Sequence, residues 1–439
     1  MRTAVSRVLE LLHGREVDAL YAYMRRMVRG EDPWPHTLVL LGDQVYADEV
    51  SPRTVEHIKE RRERGVRPDA PDDQVVDFEE YTWLYQESWG DPPIRWLLST
   101  VSTAMIFDDH DVHDDWNTSR AWVEEMRQKH WWEDRITGAF MSYWVYQHIG
   151  NLSVRELGED ELFHRVREAG DGTAILRDFA LHADATTEGV RFSFERDLGR
   201  TKLVVMDSRA GRVLGEGKRS MLDEDEWGWV EKELEGDYDH LLIGSTLPFF
   251  LSVGMQSFES WNEALCERGG VVGRLSEKLR QGLDLEHWGA FDESFRRLMR
   301  TLERLGSSDT APASIVMLSG DVHHAYLQNV AFRRGSGVRS AVWQAVCSPF
   351  RNPLNSHERL AIRIGVSKAA GLLGTLLARS AGVPEHDVRW RFVEGPYFDN
   401  QVASIDIQGR SAKLRLEKTI PSEDWRNPEL ETTFEHRLA

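Results

Sequence analysis

"LVLLGDQVYADEV" (Leu38–Val50) joins an apolar run directly to a cluster of acids and a phenol. Leu38, Val39, Leu40 and Leu41 have the character of a short buried strand. Gly42-Asp43 ends the run, and Tyr46, Asp48 and Glu49 follow. Gly and Asp are turn formers, so a surface turn would use the same letters. The pattern gains meaning because it recurs. "TAMIFDDHD" ends at Asp108 to Asp111, "TKLVVMDSRAGR" at Asp207 and Arg209, "DHLLIGSTLP" at Ser245 and Thr246, and "ASIVMLSGDVHH" at Asp321 and His323. Near-continuous apolar runs of this length predict strands covered on both faces. Between them, "VDALYAYMRRMVRG", "DEDEWGWVEKELEG" and "ESFRRLMRTLERLG" carry apolar residues at helical spacing and stop at a Gly. This alternation predicts an α/β layer architecture, in which ligands gather beyond the C-terminal ends of the strands.

Composition sets outer limits. The chain has 439 residues, enough for one large domain, which we place at residues 1–420 with a polar C-terminal tail at 421–439. The net charge of −19 argues against nucleic-acid binding, except as substrate, and against anionic lipid unless a local basic patch exists. Cys266 and Cys347 form neither a metal-binding pair motif nor a disulfide framework. No export signal opens the chain as written, which predicts a cytoplasmic location; an upstream start would leave export open. "AAGLLGTLLARSAG" (Ala369–Gly382) is too short to span a bilayer. It reads as a packed amphipathic helix, with a surface-docking helix as the alternative. The Trp- and Tyr-rich region from Glu79 to Asn151 predicts an aromatic subcore, with a cleft wall as the alternative.

The strand-end residues carry the chemistry. Carboxylate and phenolate oxygens suit hard cations, and imidazole suits iron, zinc and similar metals. A carboxylate shared by two metals, with further ligands from separate strands, is the arrangement used for phosphoryl displacement. "GDQVY", "DDHD" and "SGDVH" resemble the metal motifs of calcineurin-like metallophosphoesterases, in the form found in the alkaline phosphatase D (PhoD-like) branch. That branch shares the GDxxY signature with purple acid phosphatases. "WLLSTVSTAMIFDDHDVHDDWN" and "YWVYQHIGNLS" are similar to a bacterial PhoD-like subgroup, and the likeness runs from about Asp18 to beyond Asn400.

The resemblance implies an α/β fold of the αββα sandwich type and a metal-dependent phosphoric ester hydrolase. It implies a phosphomonoesterase first and a phosphodiesterase second, using a metal-bound hydroxide at a two-metal site. Asp43 would bridge the metals, and Tyr46, Asp109, Asp321 and His323 would bind them. His110 would assist the leaving group. The strand-end position of Arg209 makes it a candidate phosphate clamp, with structural pairing to acids as the alternative. Asp108, Asp207, His324 and Asn117 are expected behind these, orienting rather than binding. Iron and calcium are the implied cofactors, with manganese, zinc or magnesium as alternatives. Two features depart from the family. The chain opens "MRTAV", where relatives have a first strand ending in a Cys-bearing turn, and the N-terminal β-sandwich of longer relatives is missing. The alternative reading is therefore a truncated, non-catalytic remnant that holds phosphate or a single metal. Oligomeric state has no signal in the sequence.

Overall fold

The computed structural model describes residues 18–31, 33–215, 217, 219–351, 354, 356–420 and 428–439. The expectation of a lost first strand rests on Met1 and Arg2, which lie outside these residues.

All five apolar runs are strands. β1 (Thr37–Leu41) and β2 (Ser102–Ile106) pair in parallel. The central sheet contains β3 (Phe194–Leu198), β4 (Thr201–Val205), β5 (His240–Gly244), β6 (Ser314–Ser319), β7 (Ala325–Phe332), β8 (Ala341–Val346) and β9 (Val388–Tyr397). Its order is β3-β4-β5-β6-β8-β7-β9. β4, β5, β6 and β8 run parallel, while β3, β7 and β9 join antiparallel. A third, antiparallel sheet holds β10 (Gln401–Gln408), β11 (Ser411–Ile420) and β12 (Glu429–Arg437).

The period-2 alternation of side chains divides the central sheet into two buried faces. Val204, Leu241, Ile243, Ile315 and Met317 share one cluster with Trp227 and Phe295, from the helices Glu224–Glu233 and Asp292–Ser307. Leu203, Val205, Leu242, Val316 and Ala345 share another with Ala104 and Ile106 of β2 and Leu414 of β11. The helices Phe78–Trp89 and Trp132–Tyr143 add Tyr81, Leu84, Ile136 and Phe140 to this second cluster. The layers are thus helix, sheet, sheet, helix. Both faces of β4, β5 and β6 are covered, which is why these strands read as continuous apolar runs.

The antiparallel strands were not legible in this way. β11 alternates buried Ala412, Leu414 and Leu416 with more exposed residues, as a half-covered strand does. Of the segment expected to be a polar tail, residues 421–427 lie outside the described residues. Glu429–Arg437 forms β12, because ladder pairing to β11 needs no apolar run. The chain end is also held, since the Trp343 indole donates to the Leu438 carbonyl at 2.9 Å.

The aromatic region is a subcore, as expected. Phe107, which follows β2, stacks on Tyr143 at 4.5 Å and meets Trp116 edge-on at 5.0 Å. These rings fix the turn that carries Asp108, Asp109 and His110. Tyr81 donates to the Asp111 carbonyl at 2.9 Å and Arg135 to the Val112 carbonyl, so the turn is held at its backbone as well.

His148 sits in the same subcore, 5.1 Å from the Phe192 ring, and its buried Nδ1 has no hydrogen-bond partner. Burial, with the Arg191 guanidinium nearby, lowers its pKa from 6.5 to about 4. The unfolded chain therefore takes up this proton below about 6.5, and the folded chain only near 4. Stability is lost as pH falls through that window. His148→Phe should reduce the loss of unfolding free energy between pH 7 and pH 5 by on the order of 1–2 kcal/mol, measured by urea denaturation. An unchanged pH dependence would show that His148 titrates alike in both states.

Candidate metal centre

β1, β2 and β6 deliver their C-terminal ends to one place. Gly42 follows β1 with φ of 103°, and Asp43 has φ of 52°. Gly42 is required for proximity as well as for conformation. A Cβ there would lie 2.0 Å from Asp108 Oδ2. After β6, Asp321 and His323 have φ of 66° and 50°. Left-handed conformations at non-Gly residues cost about 1–3 kcal/mol each and persist only where the surroundings hold them. Here Gly320 N–H donates to the Thr246 carbonyl at 2.9 Å, and His323 N–H donates to Ser348 Oγ at 3.2 Å.

The result is a nest of acids. Asp43, Asp108, Asp109 and Asp321 each contribute one carboxylate oxygen, and these oxygens all lie within 4.8 Å of one another. Asp43 Oδ1 and Asp108 Oδ2 are buried without a hydrogen-bond partner. Burial and the Asp109 charge raise the pKa of Asp43 well above the usual carboxylate range. Burial and the Asp43 charge do the same to Asp108, against the pull of Arg209. Asp321 is also raised, first by burial.

One cation is built into this nest. Arg209 is fully buried. Its Nε donates to Asp108 Oδ1 at 2.6 Å and its Nη2 to Asp109 Oδ1 at 2.9 Å. Nη2 also lies 3.6 Å from Asp321 Oδ1, and Nη1 lies 2.5 Å from Glu286 Oε2. The expected phosphate clamp thus has all three guanidinium nitrogens directed at carboxylates. Its observed work is to hold the acids together. Glu286 also meets Arg212 at 3.1 Å, and the two arginines outweigh burial to lower its pKa to about 2. Five carboxylates therefore face two guanidinium groups, a formal excess of three negative charges (5 − 2). A nest with this excess and two unpartnered buried oxygens fits hard cations held by oxygen.

A second constellation adjoins it. The Tyr46 hydroxyl lies 3.2 Å from Asp43 Oδ2, and the Tyr46 ring lies over the His110 ring with centroids 4.4 Å apart. His110 Nδ1 bonds Asp48 at 3.0 Å, and its Nε2 lies 3.8 Å from Asp114 Oδ1. Asp48 in turn accepts from the Asp114 N–H at 2.5 Å. Burial opposes charge on His110, but the Asp48 hydrogen bond and the Asp43 charge outweigh it and raise the pKa to about 11. Asp48 moves down: burial opposes this, but the bond to His110, the His110 charge and the Asp114 N–H together outweigh it.

The remaining expected residues divide. Asp207 accepts from the N–H groups of Arg209, Ala210 and Gly211, so it shapes the turn rather than holding the Arg209 side chain. The Asn117 side chain donates to the Arg209 carbonyl at 3.1 Å. His324 is buried against Tyr326 and Phe398, with its pKa lowered to about 4, chiefly by burial. His323 shares the Asp321 turn but does not join the group of oxygens within 4.8 Å. Asp108, expected only in support, does join it. Asp48, Glu286 and a His287–Glu259 pair bonded at 2.8 Å were not identified as site residues. Asp48 stood in the opening stretch. Glu286 and His287 follow a helix, where no strand-end pattern marks them.

Comparison with known proteins identifies the family. A family model described as "PhoD-like phosphatase" matches residues 14–370, well over half of the chain. The chain belongs to the PhoD-like phosphatase family. It is accordingly a hydrolase of phosphoric esters. A solved structure of PhoD shares the fold at 10% identity, with a TM-score of 0.55 over 96% of this chain and 67% of that one. A purple acid phosphatase from yellow lupin (Lupinus luteus) seeds matches at 9% identity and a TM-score of 0.41, over 96% of this chain and 49% of that one. No curated protein matches significantly in sequence.

Gly42→Ala places a methyl group where Asp108 Oδ2 now lies. It should weaken metal affinity on the order of 10–100-fold, the range for a displaced orienting group, as read by metal titration. An unchanged titration would show that the contact between β1 and Asp108 does not hold the site.

Proposed function

We propose that this PhoD-like phosphatase hydrolyses phosphate monoesters, with diesters second, at a two-metal centre. The observation that carries this reading is the nest of Asp43, Asp108, Asp109 and Asp321 with its two unpartnered oxygens. Asp43 is the shared ligand, since it stands between the Tyr46 phenol and the other acids. Tyr46, Asp109 and Asp321 complete the oxygen set. Asp108 lies close enough to join them, and His323, on the Asp321 turn but outside the group, is a ligand only by the family resemblance. The oxygen-rich set favours hard cations. Iron and calcium are the pair that the family resemblance implies; manganese, zinc or magnesium would also fit these ligands. When bound, the metals supply water activation near neutral pH and charge neutralisation at the ester oxygens.

The chain's own residues do the rest. Asp48 orients His110 and keeps it protonated, so His110 presents a proton and a positive charge beside the centre. That proton goes to the leaving oxygen. Arg209 keeps four acids at short range where repulsion would otherwise spread them. An acidic surface and a site of this kind give no reason to expect nucleic-acid recognition.

Asp43→Asn tests the centre. It should abolish turnover of both p-nitrophenyl phosphate and bis-p-nitrophenyl phosphate, and lower metal content, with the circular dichroism spectrum retained. Full activity in purified Asp43→Asn would refute the two-metal reading. Asp48→Asn tests the proton. It should lower kcat on the order of 10²-fold with metal content unchanged. The loss should be greater for alkyl than for p-nitrophenyl esters, because a poor leaving group needs the proton more. Equal losses for both would remove His110 from that role.

A further inference from the structure

The helix Lys368–Ala381 is packed inside out. Its buried residues are Gly374 and Ala378, whereas Leu372, Leu373 and Leu376 are 66%, 60% and 52% exposed. It lies against the helix Val253–Cys266 at a distance that only small residues allow. A Cβ on Gly254 would meet the Ala370 carbonyl carbon at 2.8 Å, and one on Gly374 would meet the Gly254 oxygen at 2.5 Å. Ala370, Gly374 and Ala378 thus form a small-residue seam at four-residue spacing, the packing used by helices whose outer surface is not water.

The helix Gly270–Gly282 also packs on Val253–Cys266 and repeats the arrangement. It buries Gly273 and Ser276 and exposes Val271, Val272 and Leu275. Arg268 ties the two together by donating to the Ala381 carbonyl at 3.0 Å. The helix Ser356–Gly365 adds exposed Leu360 and Ile364 and meets Lys368–Ala381 at a 66° bend. So many exposed aliphatic side chains on adjacent helices exceed the scattered ones of an ordinary surface.

Charge selects the partner. The helices Ser356–Gly365, Lys368–Ala381 and Gly270–Gly282 hold seven basic residues and two acidic ones, Glu358 and Glu277, on a chain of net charge −19. Arg359 and Arg379 meet Asp399 and Glu385, while Arg363, over the Phe398 ring at 5.4 Å, and Lys368 are exposed. Arg274 and Lys278 are exposed on the adjoining helix. A basic, leucine-bearing face on an acidic body complements a surface that is both apolar and anionic. No single helix among the described residues is long and apolar enough to cross a membrane. Fourteen residues rise only about 21 Å, short of the ~30 Å hydrocarbon core, so the face would lie in the interface.

We propose that the helices Ser356–Gly365, Lys368–Ala381 and Gly270–Gly282 form a docking surface for an anionic phospholipid bilayer. The leucines enter the headgroup boundary and the basic side chains meet lipid phosphates. The assignment is independent of the metal centre.

Sedimentation of the full chain with vesicles tests it. The chain should pellet with equimolar phosphatidylglycerol and phosphatidylcholine, much less with phosphatidylcholine alone, and less as salt rises. Leu372→Glu, Leu373→Glu and Leu376→Glu combined should lower the bound fraction on the order of tenfold or more, with thermal melting and ester turnover unchanged. Arg363→Gln with Lys368→Gln should weaken binding to the anionic vesicles only. Absence of wild-type pelleting, or equal pelleting of the triple variant, would overturn the proposal. A dimer seen by analytical ultracentrifugation without vesicle binding, and lost in the triple variant, would assign the face to a second copy instead.

Discussion

Arg209 holds a position that no other residue in the chain could fill. A buried guanidinium with three nitrogens directed at four carboxylates is stable only because each charge answers another. Asp108, Asp109 and Asp321 come from the ends of β2 and β6 and Glu286 from the loop after the helix Gly270–Gly282, and they would repel one another without it. Arg209 itself is fixed at its backbone by Asp207, which accepts from three successive N–H groups. The fold therefore brings acids together at a cost in repulsion and desolvation and offsets only part of that cost with its own cations. The remainder is an affinity for positive charge. This links the strand topology to the chemistry: the sheet of β1 and β2 packs on the sheet that holds β6, and their C-terminal ends converge at turns with left-handed residues.

Much of this was legible in the letters, for definite reasons. β4, β5 and β6 are covered on both faces, so each is an uninterrupted apolar run whose end is visible. The site residues sit at the ends of such runs, Asp43 and Tyr46 after β1, Asp109 and His110 after β2 and Asp321 after β6, and the motifs that contain them resemble those of a known family. β3 and β7 to β12 do not stand out as apolar runs: β9 to β12 mix exposed polar with buried apolar residues, and β7, though buried over Ala325–Gln328, carries Gln328 and Asn329 in its middle. Arg209 stands out by its strand-end place, and pairing with acids is one of its two readings, but the letters do not say which acids. Which anion a buried arginine meets is decided by residues as far away as Glu286, and sequence spacing carries no trace of that contact. The same holds for Asp48. It was visible in the opening stretch, yet only the fold shows that its carboxylate faces His110 across the end of β2.

The helix Lys368–Ala381 shows the limit of reading amphipathicity. Its composition is consistent with a packed helix, and it is packed. Which face turns inward was decided by the close approach of Gly254, which admits Gly374 and Ala378 and leaves the leucines outside. Hydrophobicity alone would have turned them in.

The central claim is that the unbalanced acids exist to hold metal. Elemental analysis of the purified wild-type chain, with p-nitrophenyl phosphate turnover measured on the same sample before and after chelation, tests it most directly. The account predicts two or more metal ions per chain, loss of turnover on chelation and recovery on adding metal back. A metal-free chain that turns over the ester at full rate would contradict it.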